Sequence, residues 1–314
     1  MDVDGPQRSP NLWWDDCGLV IQAENTLYRV SRDQLAAASP IFRDMLLLPA
    51  PPDAETYEGC PLVRLPDSAE DITNFFSALW LFQFFGAYPT RTTFAIVSSV
   101  LRMGDKYGVD GLRARALTHL NAMHPISLSG WKELPSWEDE PFLLELYERS
   151  PSVVALLRKL SLTWMLPVAF YRLCDCTNTA TILSADNMSL KDKQRALVAV
   201  RLLEGRENAT VLRFLAGSYA ITGCKDVPYC LKRRMDNYEQ ALGWGTMQDR
   251  DVTGQLPLSI WTKDDWTQLD VCKPWGAWMK DDHAARLSDF WDRLPEIFEL
   301  PSWEELKELK QNTA

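Results

Sequence analysis

The segment Asp15–Leu48 constrains the fold more than any other part of the chain, because it predicts strand, turn, strand and helix in immediate succession. Gly18 to Gln22 and Leu27 to Val30 are short apolar runs separated by a loop-forming triplet. Ser31 predicts a helix start, with Gln34 at the capping-box position. Apolar residues then recur at three- and four-residue steps and predict one buried helix face: Leu35, Ala38, Phe42, Met45 and Leu46.

The next part of the chain supplies surfaces on which this hairpin and helix can pack. Leu62 to Leu65 predicts a further strand, and Ser68 predicts the start of an amphipathic helix. Thr92 to Lys106 predicts another helix, which Gly108 ends in the left-handed conformation before a partner helix begins. The chain therefore begins with an α+β domain.

The segment that opens the chain resembles the BTB/POZ family. Asp16 precedes the first predicted strand, Tyr28-Arg29-Val30 ends the second, and Leu35 to Phe42 has the sequence Leu-Ala-Ala-Ala-Ser-Pro-Ile-Phe. Ser31 stands where the family usually has His, so no role of that His is transferred. The resemblance extends more weakly to about Met123 and implies a small sheet covered by helical hairpins.

The chain as a whole is similar to the BTB-containing proteins that are numerous in mushroom-forming (agaricomycete) fungi. The similarity includes a closing motif of Trp291, Leu294, Pro295 and Phe298. It implies protein–protein interaction, by self-association or as an adaptor. The best-known adaptor case is the docking of a cullin-type ubiquitin ligase scaffold.

Composition shifts divide the chain. We expect a disordered N-terminus at residues 1–12, a BTB/POZ domain at 13–124, a linker rich in Pro and Ser at 125–141, and an all-helical C-terminal domain at 142–314. The clearest helices of the last region are expected at 142–148, 152–171, 190–204, 211–219, 281–293 and 303–310.

Charge and hydropathy exclude several classes of protein. A net charge of −10 and a pI near 4.9 argue against a nucleic-acid partner, which needs a basic surface. The sequence contains no signal-peptide pattern and no membrane-spanning run, so we expect an intracellular protein, in cytoplasm or nucleus, with reduced cysteines. None of the three His residues lies in a known catalytic motif, and no phosphate loop occurs. We therefore expect neither an enzyme nor a bound cofactor.

Two groups of residues are candidates for partner binding. Asp16 and Arg32 match positions of a cleft that some BTB proteins use to hold peptides, and the alternative is a structural ion pair or two solvated charges. Aromatic residues after the helix that begins at Ser68 predict either a partner surface or core: Trp80, Phe84, Phe85 and Tyr88.

The cysteines of the C-terminal region give a third candidate site. Cys174, Cys176, Cys224, Cys230 and Cys272 could meet in the fold, but their spacing fits zinc motifs poorly. Free thiols and no metal site are therefore expected. A metal-binding or enzymatic C-terminal domain is the competing hypothesis.

The segment before the first predicted strand bears on the oligomeric state. Many dimeric BTB proteins have a helix there, whereas here Pro10 lies too close to the strand for a helix of several turns. We expect a monomer or a weak homodimer that binds a protein partner through the BTB half.

Overall fold

A mixed five-stranded sheet with helices packed against it forms the first part of the structure. The computed structural model describes residues 5–49, 53–135, 139–176, 178–217, 221–243 and 256–313. Its contacts divide the chain into two compact units. The first comprises Met1–Met123 with Ser136–Glu145, and the second comprises His124–Pro135 with Leu146–Ala314. The α+β fold class predicted from the sequence is confirmed.

The strands of the sheet are β1 (Gln7–Trp13), β2 (Leu19–Ala23), β3 (Thr26–Val30), β4 (Thr56–Tyr57) and β5 (Cys60–Leu65). Their order across the sheet is β1-β3-β2-β5-β4. Strands β2 and β3 form the predicted antiparallel hairpin, and β5 returns parallel to β2. Glu24 makes the hairpin turn with a φ of 49°.

Strand β1 differs from the expectation that residues 1–12 are disordered. From Gln7 onward the chain pairs parallel to β3 at the edge of the sheet, with Ser9 and Leu12 buried. Pro10 cannot donate to a neighbouring strand, which an edge position tolerates, and the register shifts between Arg8 and Trp13. The segment is otherwise polar, so its local pattern does not predict a strand.

The helix predicted from Ser31 to Leu48 is two helices. Ser39 is extended between them, as expected of a residue before proline, and its hydroxyl accepts the N–H of Phe42 at 3.0 Å. The same hydroxyl donates to the carbonyl of Tyr107 at 2.6 Å. The helices of the first unit are α1 (Arg32–Ala38), α2 (Pro40–Leu47), α3 (Ala69–Trp80), α4 (Phe94–Tyr107) and α5 (Asp110–Met123).

The helix start at Ser68 and the helix end at Gly108 that the sequence predicts are both present in the structure. Ser68 caps α3 through the N–H of Asp71, and Gly108 ends α4 with a φ of 67°. The core between the helices is aromatic: the ring of Phe42 stacks on Tyr107 with centroids 4.3 Å apart, and Phe76 contacts Tyr28 edge-on.

The described residues after Met123 form helices and the segments that connect them, including a 3-10 turn at Thr163–Met165 and a π turn at Leu203–Glu207. The predicted linker contains the short helix α6, and the helix predicted over 152–171 breaks at Ser161, which has a φ of 56°. The helix predicted over 211–219 is shorter, and residues 218–220 lie outside the described part. The helices are α6 (Leu128–Lys132), α7 (Pro141–Glu148), α8 (Ser150–Lys159), α9 (Leu166–Cys176), α10 (Thr179–Ser184), α11 (Leu190–Leu202), α12 (Asn208–Val211), α13 (Arg213–Ala216), α14 (Val227–Ala241), α15 (Lys263–Gln268), α16 (Lys273–Ile297) and α17 (Trp303–Thr313).

Candidate functional site

A surface cleft of about 720 Å³ lies in the first unit. We call it the tryptophan cleft. Three pieces of chain form it: the loop after β1, the first helix after the hairpin, and the end of α3. Its lining residues are Trp14, Cys17, Ser31, Gln34, Ala37, Ala38, Leu79 and Trp80.

Two indole rings form the apolar side of the tryptophan cleft. Trp14 and Trp80 meet edge to face, with ring centroids 5.4 Å apart. Trp80 also rests against Phe76, which is fully buried, at 4.9 Å. Because a core residue supports it, the half-buried Trp80 presents a fixed apolar surface to the cleft.

Helix α1 provides the polar side. Ser31 caps this helix and accepts the N–H of Gln34 at 3.3 Å, as predicted. The side chain of Gln34 is exposed and makes a donor and an acceptor available at the rim. The opposite loop is held by Arg29, whose Nε donates to the carbonyl of Cys17 at 2.7 Å.

The two charged residues predicted for this region are not paired with each other in the part of the chain that the structure describes. Asp16 is exposed and directly precedes Cys17 of the cleft. Arg32 is exposed next to Ser31, and its guanidinium donates to the carbonyl of Leu46. The structural ion pair that was the alternative for these two residues is therefore not formed between them, and their role in partner binding stays a prediction.

The predicted aromatic group does not form one surface. Trp80 lines the cleft, whereas Phe85 is 4% exposed and packs against the ring of His119 at 5.4 Å. Phe84 is half-buried, and Tyr88 is 40% exposed with its ring edge-on to His119. Burial removes Phe85 from the candidate binding surface, so Trp80 is the member of this group that a cleft makes available.

Sequence reasoning missed most of the cleft. Trp14 and Leu79 belong to no motif, and Gln34 is predicted only as part of a helix cap; the three lie on different parts of the chain. Only the tertiary fold brings them together, so no local spacing identifies them. Of the residues predicted to bind a partner, Trp80 lines the cleft and Asp16 is next in sequence to its lining residue Cys17.

Three of the candidate cysteines do meet in the second unit. The Sγ atoms of Cys224, Cys230 and Cys272 all lie within 4.8 Å of one another. Cys174 lies apart, with its thiol directed at the carbonyl of Ala196, and the side chain of Cys176 is outside the described part. We call the three residues the thiol cluster.

The thiols of the cluster differ in their environment. Burial raises the pKa of Cys230 to about 11. Burial also disfavours the thiolate of Cys272, but the backbone N–H of Trp275 and the two neighbouring thiols outweigh it and lower the pKa of that residue. All six cysteines whose side chains the structure describes are free, as predicted.

No family model, curated protein or solved structure matches the chain. None of the helices within the described ranges combines the length and the apolar composition that crossing a bilayer requires.

Proposed function

We propose that the chain is a protein-interaction module whose first unit binds a short peptide segment of a partner in the tryptophan cleft. The observation that carries this proposal is a cleft with two supported indole rings on one side and hydrogen-bonding groups on the other. Tryptophan is enriched among the residues that contribute most to binding at protein interfaces. The volume lies within the range of small ligand sites, which suits one or two side chains of an extended segment.

The cleft also suggests what the partner segment contains. An apolar side chain of the partner would pack against Trp80, while its backbone would exchange hydrogen bonds with Gln34. Two exposed acidic residues directly precede lining residues in sequence, Asp16 before Cys17 and Asp33 before Gln34, whereas Asp15 pairs with Arg29 at 3.7 Å. We therefore propose a segment in which a Lys or Arg lies beside the apolar anchor.

The resemblance to the BTB/POZ family supports an adaptor role. A small sheet covered by helical hairpins fits that family, and a cullin-type ligase scaffold is one partner that the family implies. We also propose a monomer or a weak homodimer, which sedimentation of the purified chain at micromolar concentration tests.

The cleft is tested with a random peptide display library selected on the purified full chain. We expect enriched peptides that combine an aromatic or large aliphatic residue with a basic residue. Ala37→Arg places a long side chain in the cleft from an exposed helix position. It should lower the affinity for these peptides at least tenfold, which corresponds to about 1.4 kcal/mol.

Ala54→Arg is the matched control, because Ala54 is also exposed and does not line the cleft. It adds the same charge and should leave affinity within about twofold. Absence of enriched peptides, or equal weakening by both variants, would contradict the cleft as the binding site.

A further inference from the structure

The thiol cluster is assembled from two stretches of chain that are distant in sequence. Cys224 lies just before α14, Cys230 is the fourth residue of that helix, and Cys272 directly precedes α16. Cys230 is 2% exposed, whereas the other two thiols are partly exposed. An ion could therefore reach the cluster from solvent and still be shielded on one side.

Two side-chain contacts hold these stretches together without the thiols. The hydroxyl of Tyr229 donates to the carboxylate of Asp270, which joins the first turn of α14 to the residues before Cys272. One turn beyond Cys230, the guanidinium carbon of Arg234 lies 3.8 Å from the ring centroid of Trp275 in α16. The sulfur atoms are thus positioned by contacts on both sides of the cluster, which is how metal ligands are preorganised.

The backbone around the cluster is equally constrained. Gly223 has a φ of 93°, and a Cβ at this position would lie 3.5 Å from the Cγ of Pro274. Asp226 caps α14 through the N–H of Tyr229 at 3.0 Å. The turn before Cys224 and the starts of both helices therefore place the three sulfur atoms within reach of one another.

The separations match a shared ion. With zinc–sulfur bonds of about 2.3 Å, two thiolates on one tetrahedral ion lie roughly 3.8 Å apart. The sulfur atoms here are all within 4.8 Å of one another, so small side-chain rotations would close the site. A ligand set made only of thiolates selects soft ions such as Zn²⁺ and Cu⁺ over Mg²⁺ or Ca²⁺.

We propose that Cys224, Cys230 and Cys272 form a three-thiolate site for Zn²⁺, whose fourth position is open to water or to an external ligand. Within the described residues no further cysteine, histidine or carboxylate joins the cluster. Each thiol releases its proton to solvent as its sulfur bonds the ion, so three protons leave for one Zn²⁺ bound. Lys225 and Lys273, each next to a ligand in sequence and exposed, would offset the remaining negative charge.

The test uses purified, reduced full-length protein freed of metal. Zn²⁺ is titrated against a chromophoric chelator, and we expect one equivalent per chain. Cys224→Ser and Cys272→Ser should each lower affinity by more than about 100-fold, since even changes outside the ligand shell cost 10- to 100-fold. Both positions are partly exposed, so these variants test the site even if Cys230→Ser fails to fold.

Cys17→Ser is the matched control, because Cys17 is also partly exposed and lies outside the cluster. It should bind Zn²⁺ as the unmodified chain does. As a second measurement, Zn²⁺ should slow the alkylation of Cys224 and Cys272, but not of Cys17, by a maleimide read by mass spectrometry. No Zn²⁺ uptake, or uptake that all four variants retain, would overturn the site, and binding of Cu⁺ alone would overturn zinc as its occupant.

Discussion

The two units bury polar groups in different ways. In the described part of the first unit, the fully buried polar side chains are serines and His119. Its paired charges lie nearer the surface, as in the contact of Asp71 with Arg102 at 2.5 Å. The second unit instead contains the fully buried arginines Arg172 and Arg234. The first unit therefore depends on apolar packing, whereas the second also depends on burying charge.

Aromatic rings accompany both buried arginines. The guanidinium of Arg234 lies over Trp275 and donates to the carbonyl of Gly217. That of Arg172 lies 5.3 Å from the ring centroid of Tyr147. One turn away, burial raises the pKa of Asp175 to about 6, although the charge of Arg172 acts in the opposite direction. The two contacts between an arginine and a ring join residues that are far apart in sequence.

The largest effect should come from emptying the aromatic core of the first unit. Phe42 is fully buried and stacks on Tyr107, so Phe42→Ala should lower the free energy of unfolding by about 3–5 kcal/mol. Ile41→Ala is the control, because Ile41 is 49% exposed on the same helix. Urea titration measures both, and similar losses would contradict the assigned buried face.

The second effect is a pH dependence in the second unit. Burial lowers the pKa of His283 to about 4, with Lys132 acting in the same direction and Asp282 against it. Its ring packs against Phe214 and Trp266. Below pH 6.5 the unfolded chain takes up a proton that the folded chain resists, so stability falls until about pH 4. The loss from this group is roughly 3 kcal/mol.

His283→Gln should remove that part of the acid slope, measured as the free energy of unfolding at a series of pH values. Lys132→Gln is the companion variant, because the charge of Lys132 helps to lower the pKa of His283. Removing that charge should reduce the stability lost between pH 6.5 and 4 and leave the stability at higher pH unchanged. If the slope between pH 6.5 and 4 is the same in wild type and His283→Gln, the histidine is not buried as a neutral group.

Whether a feature depends on local sequence or on contacts between distant residues decides how well the sequence predicts it. The hairpin, the caps at Ser31 and Ser68 and the turn at Gly108 are local features, and each is confirmed. Strand β1 is missed because its pairing with β3 compensates for a polar, proline-containing sequence. The candidate sites are hard to predict for the same reason, because they too depend on contacts between distant segments.

Neither site has a local signature. The tryptophan cleft joins three separate elements, and the thiol cluster joins residues whose spacing matches no zinc motif. Cys230 lies in helix α14 and Cys224 just before it. The contacts of Tyr229 with Asp270 and of Arg234 with Trp275 relate them to Cys272. Contacts across more than 40 residues leave no periodicity for a sequence pattern to detect.

A third effect tests the buried arginines directly. Arg234→Met keeps an unbranched side chain but removes the cation over Trp275, so it should lower the free energy of unfolding by about 2 kcal/mol. Lys232→Met, exposed on the same helix, should change it by less than about 0.5 kcal/mol. An unchanged or raised stability for Arg234→Met would mean that apolar packing alone suffices in the second unit, as it does in the first.

The smallest effect should be of similar size in the two units, because helix capping is local in both. Ser31 accepts the N–H of Gln34 at 3.3 Å, and Ser302 accepts the N–H of Glu305 at 3.4 Å. Ser31→Ala and Ser302→Ala should each lower stability by about 1 kcal/mol through the lost cap. Hydrogen exchange at the first-turn amides of α1 and α17 measures the two losses separately. The side chain of Glu305 also accepts the backbone N–H of Ser302, so that helix start retains one capping bond after the substitution. The loss at Ser302 should therefore not exceed the loss at Ser31, and a clearly larger loss at Ser302 would contradict capping as the common cause.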